Sequence, residues 1–156
     1  MTTVKKRGNV LIPCLPTGVV YDLIEVVAAY LLNMNQGAVP IYLVSPVVDQ
    51  SLGYANILGE WMSKNRQDKT FLPEPPFCHA DLVRSNRVKH FPNLHGSFGA
   101  TMRSPCVVFC GHPSLRCGDV VHLMRLWGSS SKNSVIFIGI AFSKKKKKLP
   151  AVELVL

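Results

Sequence analysis

The chain has 156 residues, 47% of them hydrophobic and 17% charged, which excludes a disordered tail as its bulk and fits one globular domain around a single substantial core. Its formal net charge is +9, but Lys5-Lys6-Arg7 and Lys144 to Lys148 supply eight of the positive charges, so composition alone does not establish a strongly basic folded surface. No stretch reaches 18 apolar residues and no apolar run follows the N-terminal basic cluster, so the sequence predicts a soluble, unsecreted chain.

Residues 1–7 read as a basic N-terminal segment. The first predicted element is a strand, Val10-Leu11-Ile12-Pro13-Cys14, whose apolar residues are continuous where a half-exposed strand would alternate, the pattern of burial on both faces. A tight turn leads into a helix whose stripe is Val19, Val20, Leu23, Ile24, Val27, Ala28 and Leu31, with Thr17 as expected N-cap and Gly37 past the end. A second buried strand follows at Val39 to Val44. Tyr54, Ala55, Leu58, Trp61 and Met62 predict a second helix, although Gly53 and Gly59 each cost it about 1 kcal/mol.

From Lys64 to Arg103 the rhythm breaks, and the chain is polar and punctuated by proline. Leu72 to Phe77 reads as an extended connector, with a short helix over Ala80 to Asn86 and room for a brief strand at Thr70 to Leu72. The third buried run is Cys106 to Cys110, and Val120, Leu123, Met124 and Trp127 predict a third helix between Asp119 and Gly128. Val135 to Ile138 is the fourth strand. Residues 143–156 continue neither period and are expected to be a Lys-rich tail outside a domain spanning 8–142. The lysine run reads as a solvated or aberrantly translated end, or as a nuclear-import signal. Strands alternating with helices predict an α/β fold, an open, mostly parallel sheet flanked by helices and joined by right-handed crossovers.

In such a sheet ligands bind beyond the carboxyl ends of the strands, where the predicted loops are Pro13 to Gly18, Ser45 to Asp49 and Gly111 to Gly118. The last precedes a helix, and its backbone N–H groups with His112, Ser114 and Arg116 suit a phosphate, although P-loop and GxGxxG spacings are missing. An ordinary turn has the same composition. Arg84, Arg87, Lys89 and His90, near Phe91 and Phe98, suit backbone contact and stacking on single-stranded RNA; a solvated face is the alternative. The five histidines and five cysteines show no HExxH, HxH with a following aspartate, or CxxC, so no metal site is predicted. Cys110 stands beside Gly111-His112, yet a buried, inert thiol is the better reading than a nucleophile. An odd number of cysteines, three of them in or beside apolar runs, implies reduced thiols.

Gly8 to Cys14, Leu72 to Phe77, Lys89-His90-Phe91-Pro92, Pro105 to Phe109, Gly111 to Arg116 and Gly118 to His122 closely resemble the β-CASP domain of the metallo-β-lactamase/β-CASP family of RNA-processing proteins, in its Integrator branch. The likeness runs from about Gly8 to Ile138; beyond it, Gly139-Ile140-Ala141-Phe142 and lysines replace an acidic Pro-Asp-Phe-like stretch. The resemblance implies a Rossmann-like α/β cap with the metallo-β-lactamase halves absent, in a nuclear pseudo-nuclease that supports small nuclear RNA (snRNA) 3′-end processing. The partners it implies are the active Integrator endonuclease, subunit 11, and other Integrator subunits. It implies no catalytic residue and no cofactor here, because active relatives draw their zinc ligands mainly from segments outside this region and carry a Ser-Pro-Gly-type loop where this chain has Gly111-His112-Pro113-Ser114. Two alternatives stand beside it: a fragment of an active zinc-dependent β-CASP ribonuclease, and a small α/β module binding a phosphorylated ligand at Gly111 to Arg116.

Overall fold

The continuous apolar runs become the interior of one sheet. The structure, a computed structural model, describes residues 2–57, 64, 77–138 and 152–154. In chain order the elements are α1 (Thr2–Lys5), β1 (Val10–Ile12), α2 (Val19–Asn33), β2 (Ile41–Val44), α3 (Val48–Ile57), α4 (His79–Arg84), β3 (Val88–Phe91), α5 (Ser97–Thr101), β4 (Val107–Cys110), α6 (Val120–Trp127), β5 (Ser134–Phe137) and β6 (Val152–Leu154). The strands lie in the order β3-β2-β4-β1-β5-β6, and every pairing is parallel, with Leu11 beside Val108 and Val135, and Leu43 beside His90 and Phe109. The open parallel α/β sheet expected from the sequence is the fold observed.

Alternation along each strand builds two cores. Val10, Ile12, Ile41, Leu43, Val88, Val107 and Phe109 face α2, α3 and α4. Leu11, Tyr42, Val44, Phe91, Val108 and Cys110 face Phe98 of α5 and Val120, Leu123 and Trp127 of α6. Because both faces are covered, central strands β1, β2 and β4 need apolar side chains at every position, which is why their runs do not alternate.

Several expectations need correction. No strand is predicted at Val88–Phe91, yet β3 forms there: Lys89 and His90 break the apolar signal, and an edge strand needs fewer buried positions. The tail was expected to continue no element, whereas β6 pairs with β5. The second helix starts at Val48, six residues before Tyr54; its buried face is Val48, Leu52 and Ala55, and Tyr54 points outward. Leu58, Trp61, Met62, the Thr70 to Leu72 strand, the connector before Phe77 and the Lys144 to Lys148 run lie outside the described residues. The N-cap of α2 is Gly18, with φ +71°, and Thr17 does not cap it. Asp119 does hold the N-cap position of α6, but its side chain makes no capping bond.

The amino ends of the strands are closely tied. Asn9 is buried; its N–H donates to Asn133 Oδ1 at 2.9 Å, its Oδ1 accepts from the Cys106 N–H at 3.2 Å, and its carbonyl accepts from the Ser134 N–H at 2.9 Å. One residue, through its backbone and its side chain, thus joins β1 to the starts of β4 and β5. Beside it, a Cβ on Gly8 would lie 1.6 Å from the Lys132 carbonyl oxygen, so only glycine permits the approach. Thr3 and Val4 of α1 are buried here, and the Thr3 and Ser134 hydroxyls are hydrogen-bonded. The N-terminal basic segment therefore packs onto the domain while Lys5, Lys6 and Arg7 stay exposed.

Candidate functional site

Neighbouring strands β2 and β4 send the chain to opposite faces and in opposite directions, β2 through α3 toward β3 and β4 through α6 toward β5. Such a switch point opens a crevice beyond the carboxyl ends of the strands. A cavity of about 200 Å³ lies there, lined by Val44, Ser45 and Pro46 after β2, Pro92 and Asn93 after β3, and Gly111, Gly118 and Asp119 after β4. Two local features hold it open. Gly111 has φ +73°, and a Cβ there would come within 2.6 Å of Val120 Cβ, so the turn out of β4 requires glycine. Asp119 Oδ2 accepts a hydrogen bond from the Leu94 N–H at 3.1 Å and so ties the loop after β3 to the loop after β4.

The floor between β1, β2 and β4 is apolar, with Cys14, Leu43, Phe109 and Cys110 around a small cleft. Burial pushes the Cys14 thiol up to about 12. Cys110 is also pushed up to about 12, by burial first and then by the Asp119 carboxylate and Cys14. At neutral pH both stay protonated and are poor nucleophiles, which agrees with the inert-thiol reading.

The residues singled out in the sequence fall into separate groups. His112, Ser114 and Arg116 are exposed on the loop after β4, outside the cavity lining. That loop is ordered by its own bonds: His112 Nδ1 lies 2.9 Å from Ser114 Oγ and accepts from the Ser114 N–H at 3.1 Å, and Ser114 Oγ accepts from the Arg116 N–H at 3.4 Å. The backbone N–H groups of Ser114 and Arg116 and the side chains of His112 and Ser114 are thus already engaged within the turn, which leaves the exposed Arg116 guanidinium as the group best placed to meet a phosphate.

Arg84, Arg87, Lys89 and His90 do not form one surface. Val88 faces the α2 side and Phe91 the α6 side, so alternation turns Lys89 and His90 to opposite faces. Arg87, next to the amino end of β3, donates an Nη2–H to the Ala28 carbonyl at 3.3 Å. Arg84 is exposed and pairs with Asp81 at 3.6 Å. His90 Nε2 is 3.1 Å from Asp49 Oδ1. These two residues line a second, open cavity of about 340 Å³ with Leu52, His79, Ala80, Val83 and Arg84. Sequence reasoning missed the Asp49–His90 pair and Asn93 because it did not see β3; a four-residue run closing on Pro92 was the only local cue.

The β-CASP resemblance raises the question of zinc. Among the described residues no three His, Cys, Asp or Glu side chains are grouped to hold an ion. His79 is buried with its ring 5.8 Å from Tyr21 and 5.7 Å from Phe77, and burial lowers its pKa. These residues do not fit a metal centre. No helix among them is long and apolar enough to cross a membrane.

Residues 19–142 match the Beta-Casp domain. The chain is similar to Integrator complex subunit 9 of Homo sapiens, 53% identical over 90% of this chain and 21% of that protein. It is 55% identical to the Integrator complex subunit 9 homolog of Nematostella vectensis, over 87% of this chain and 21% of the relative. With Integrator complex subunit 11 of Gallus gallus it shares 28% identity over 88% of this chain and 21% of that protein. The chain therefore spans about a fifth of the length of the relatives it matches.

Proposed function

The chain belongs to the Beta-Casp domain family, and from that premise we propose that it is the β-CASP part of a non-catalytic, nuclear Integrator subunit that scaffolds the RNA endonuclease subunit 11 in snRNA 3′-end processing. The observation that carries this reading is the 53% identity with a subunit 9 over nine tenths of the chain, against 28% with a subunit 11. Its non-catalytic part is supported by Cys14 and Cys110, held protonated where an α/β enzyme places reacting groups. In this reading residues 8–142 form the bulk of the domain, with α1 and β6 packed onto it, and His112, Ser114 and Arg116 on the crevice rim touch the RNA backbone while the endonuclease does the chemistry.

The experiment is depletion of the protein followed by rescue, with snRNA 3′ ends mapped by sequencing, alongside incubation of the purified chain with zinc and a 3′-end RNA substrate. Accumulation of unprocessed 3′ ends on depletion, with no cleavage by the purified chain, is the expected result. Normal 3′ ends after depletion would refute membership in that machinery; zinc-dependent cleavage by the chain would refute the non-catalytic role.

A further inference from the structure

None of the described residues lining the cavity between α3, α4 and the edge strand β3 also lines the crevice, and its volume of about 340 Å³ falls within the range of small-molecule sites, roughly 300–1,000 Å³. Helical spacing builds its walls: His79, Ala80, Val83 and Arg84 fall on one side of α4, and Asp49 and Leu52 stand three apart on α3. His90 completes it from β3, because it shares the parity of Val88, which faces the same helices. Leu52, Ala80 and Val83 give the cavity apolar surface, and its polar groups are Asp49, His79, Arg84 and His90.

What these groups still lack is donors. His79 is only 3% exposed, and its Nδ1 has neither solvent nor a hydrogen-bond partner among the described residues. Burial lowers the His79 pKa and keeps the ring neutral, while the Leu52 backbone accepts its N–H. A neutral imidazole has one donor nitrogen and one acceptor nitrogen, so Nδ1 is the acceptor, and a buried lone pair is costly to leave unpaired. Asp49 is a second acceptor: Oδ1 lies 3.1 Å from His90 Nε2, and a carboxylate has a second oxygen to offer. The donors nearby are committed, His90 to Asp49 and Arg84 to Asp81. The positive charge of Arg84 also disfavours a lysine or arginine side chain as occupant. A flat, uncharged ring carrying N–H groups suits these walls. We propose that the cavity seats a nucleobase with an exocyclic amino group, adenine, cytosine or guanine, whose N–H groups meet His79 Nδ1 and the Asp49 carboxylate while its ring lies against Leu52, Ala80, Val83 and His90. Uracil has no amino group and one N–H between two carbonyls, so it sets carbonyl oxygens against acceptors and is rejected. Choosing a nucleobase among flat donors rests on the proposed role with RNA. A base bound here together with normal snRNA 3′ ends after depletion would keep this site and refute that role, so the two fail separately.

The test titrates the full chain with adenosine and uridine, followed by nitrogen NMR of isotopically labelled histidine, and with fluorescent octaadenylate and octauridylate, followed by anisotropy. The adenine probes are expected to bind at least about ten-fold more tightly than the uracil probes. The His79 Nδ1 resonance, identified by its absence in His79→Phe, is expected to move upfield as a hydrogen bond reaches it. His79→Phe and Asp49→Ala are each expected to cut the preference for adenine by about five-fold or more, whereas Leu126→Glu, on the exposed surface of α6 across the sheet, leaves it unchanged. Asp49 is largely exposed, so Asp49→Ala tests the site without opening the core, and thermal unfolding of each variant separates lost binding from lost folding. Binding of adenosine extends the site to free nucleosides and binding of octaadenylate alone confines it to RNA; either supports the proposal. Equal binding of adenine and uracil probes, an unchanged preference in folded Asp49→Ala, an unmoved Nδ1 resonance at saturation, or argininamide taking the cavity in place of the adenine probes would each overturn it.

Discussion

The two ends of this parallel sheet are built differently. At the amino ends one asparagine joins three strands, a glycine lets two backbone segments touch, and α1 covers the join. At the carboxyl ends the loops leave for opposite faces and are held by a few local contacts: Asp119 to Leu94, and Tyr21 with its hydroxyl 2.8 Å from the Ser51 carbonyl and 2.6 Å from Ser51 Oγ, which in turn bonds the Pro16 carbonyl. The contrast teaches where each function resides. Backbone satisfaction at the amino end fixes strand register, which frees the carboxyl end to keep polar side chains and a crevice.

The sharpest way to break the comparison is at the stitched end. Gly8→Ala places a methyl group against the Lys132 carbonyl, and relief requires moving backbone rather than a side chain. A loss of about 4 kcal/mol, at the severe end of single substitutions, is expected in urea unfolding; a loss below about 1 kcal/mol would show that the two segments can part freely. Asn9→Ala removes the acceptor from the buried Cys106 N–H and should cost about 2 kcal/mol. Asn9→Asp keeps an acceptor for Cys106 but buries a charge, so it should not restore stability.

At the open end the effects are smaller and depend on pH. Burial lowers the His79 pKa below its ordinary 6.5, opposed in part by a hydrogen bond to the Leu52 backbone. The unfolded chain therefore takes up a proton that the folded chain resists. The sign follows: the stability tied to neutral His79 is fully present above about pH 6.5 and is lost as pH falls below it. Urea midpoints measured at pH 7.5 and 5.5 should fall on acidification, and His79→Phe, which keeps a ring against Tyr21 and Phe77, should reduce that fall. An unchanged pH dependence in the variant would remove His79 from the account.

The same contrast explains what could be read from the sequence. Val10–Ile12, Ile41–Val44 and Val107–Cys110 announce themselves because burial on both faces demands unbroken apolar residues. The edge strand β3 is invisible to that rule, since Lys89 and His90 occupy its middle, and with it went Asn93 and the Asp49–His90 pair. The second helix was misplaced because Tyr54, taken for core, is 62% exposed, while Val48 and Leu52 carry the buried face. In the site, Gly111 and the loop after β4 were legible as a turn before a helix. Their geometry was not, because Asp119 turns its carboxylate to Leu94, a residue 25 positions away, instead of capping its own helix.

The smallest structural effect belongs to the rim, and there it is most diagnostic. Arg116 is exposed, and among the described residues its guanidinium makes no hydrogen bond or ion pair; the turn it sits in is held by His112 and Ser114. Arg116→Ala should therefore change stability by less than about 0.5 kcal/mol. If the rim meets an RNA backbone, the same substitution removes one phosphate contact from a chain that has little net positive charge outside its two basic runs. The affinity for single-stranded RNA should then fall several-fold, and the slope of log affinity against log salt should become shallower by about 0.7. Arg84→Ala is the matched control, since Arg84 pairs with Asp81 away from this rim. Equal losses for Arg84 and Arg116 would mean diffuse charge attraction; a loss at Arg116 alone, with stability unchanged, would assign the contact to the open end of the sheet.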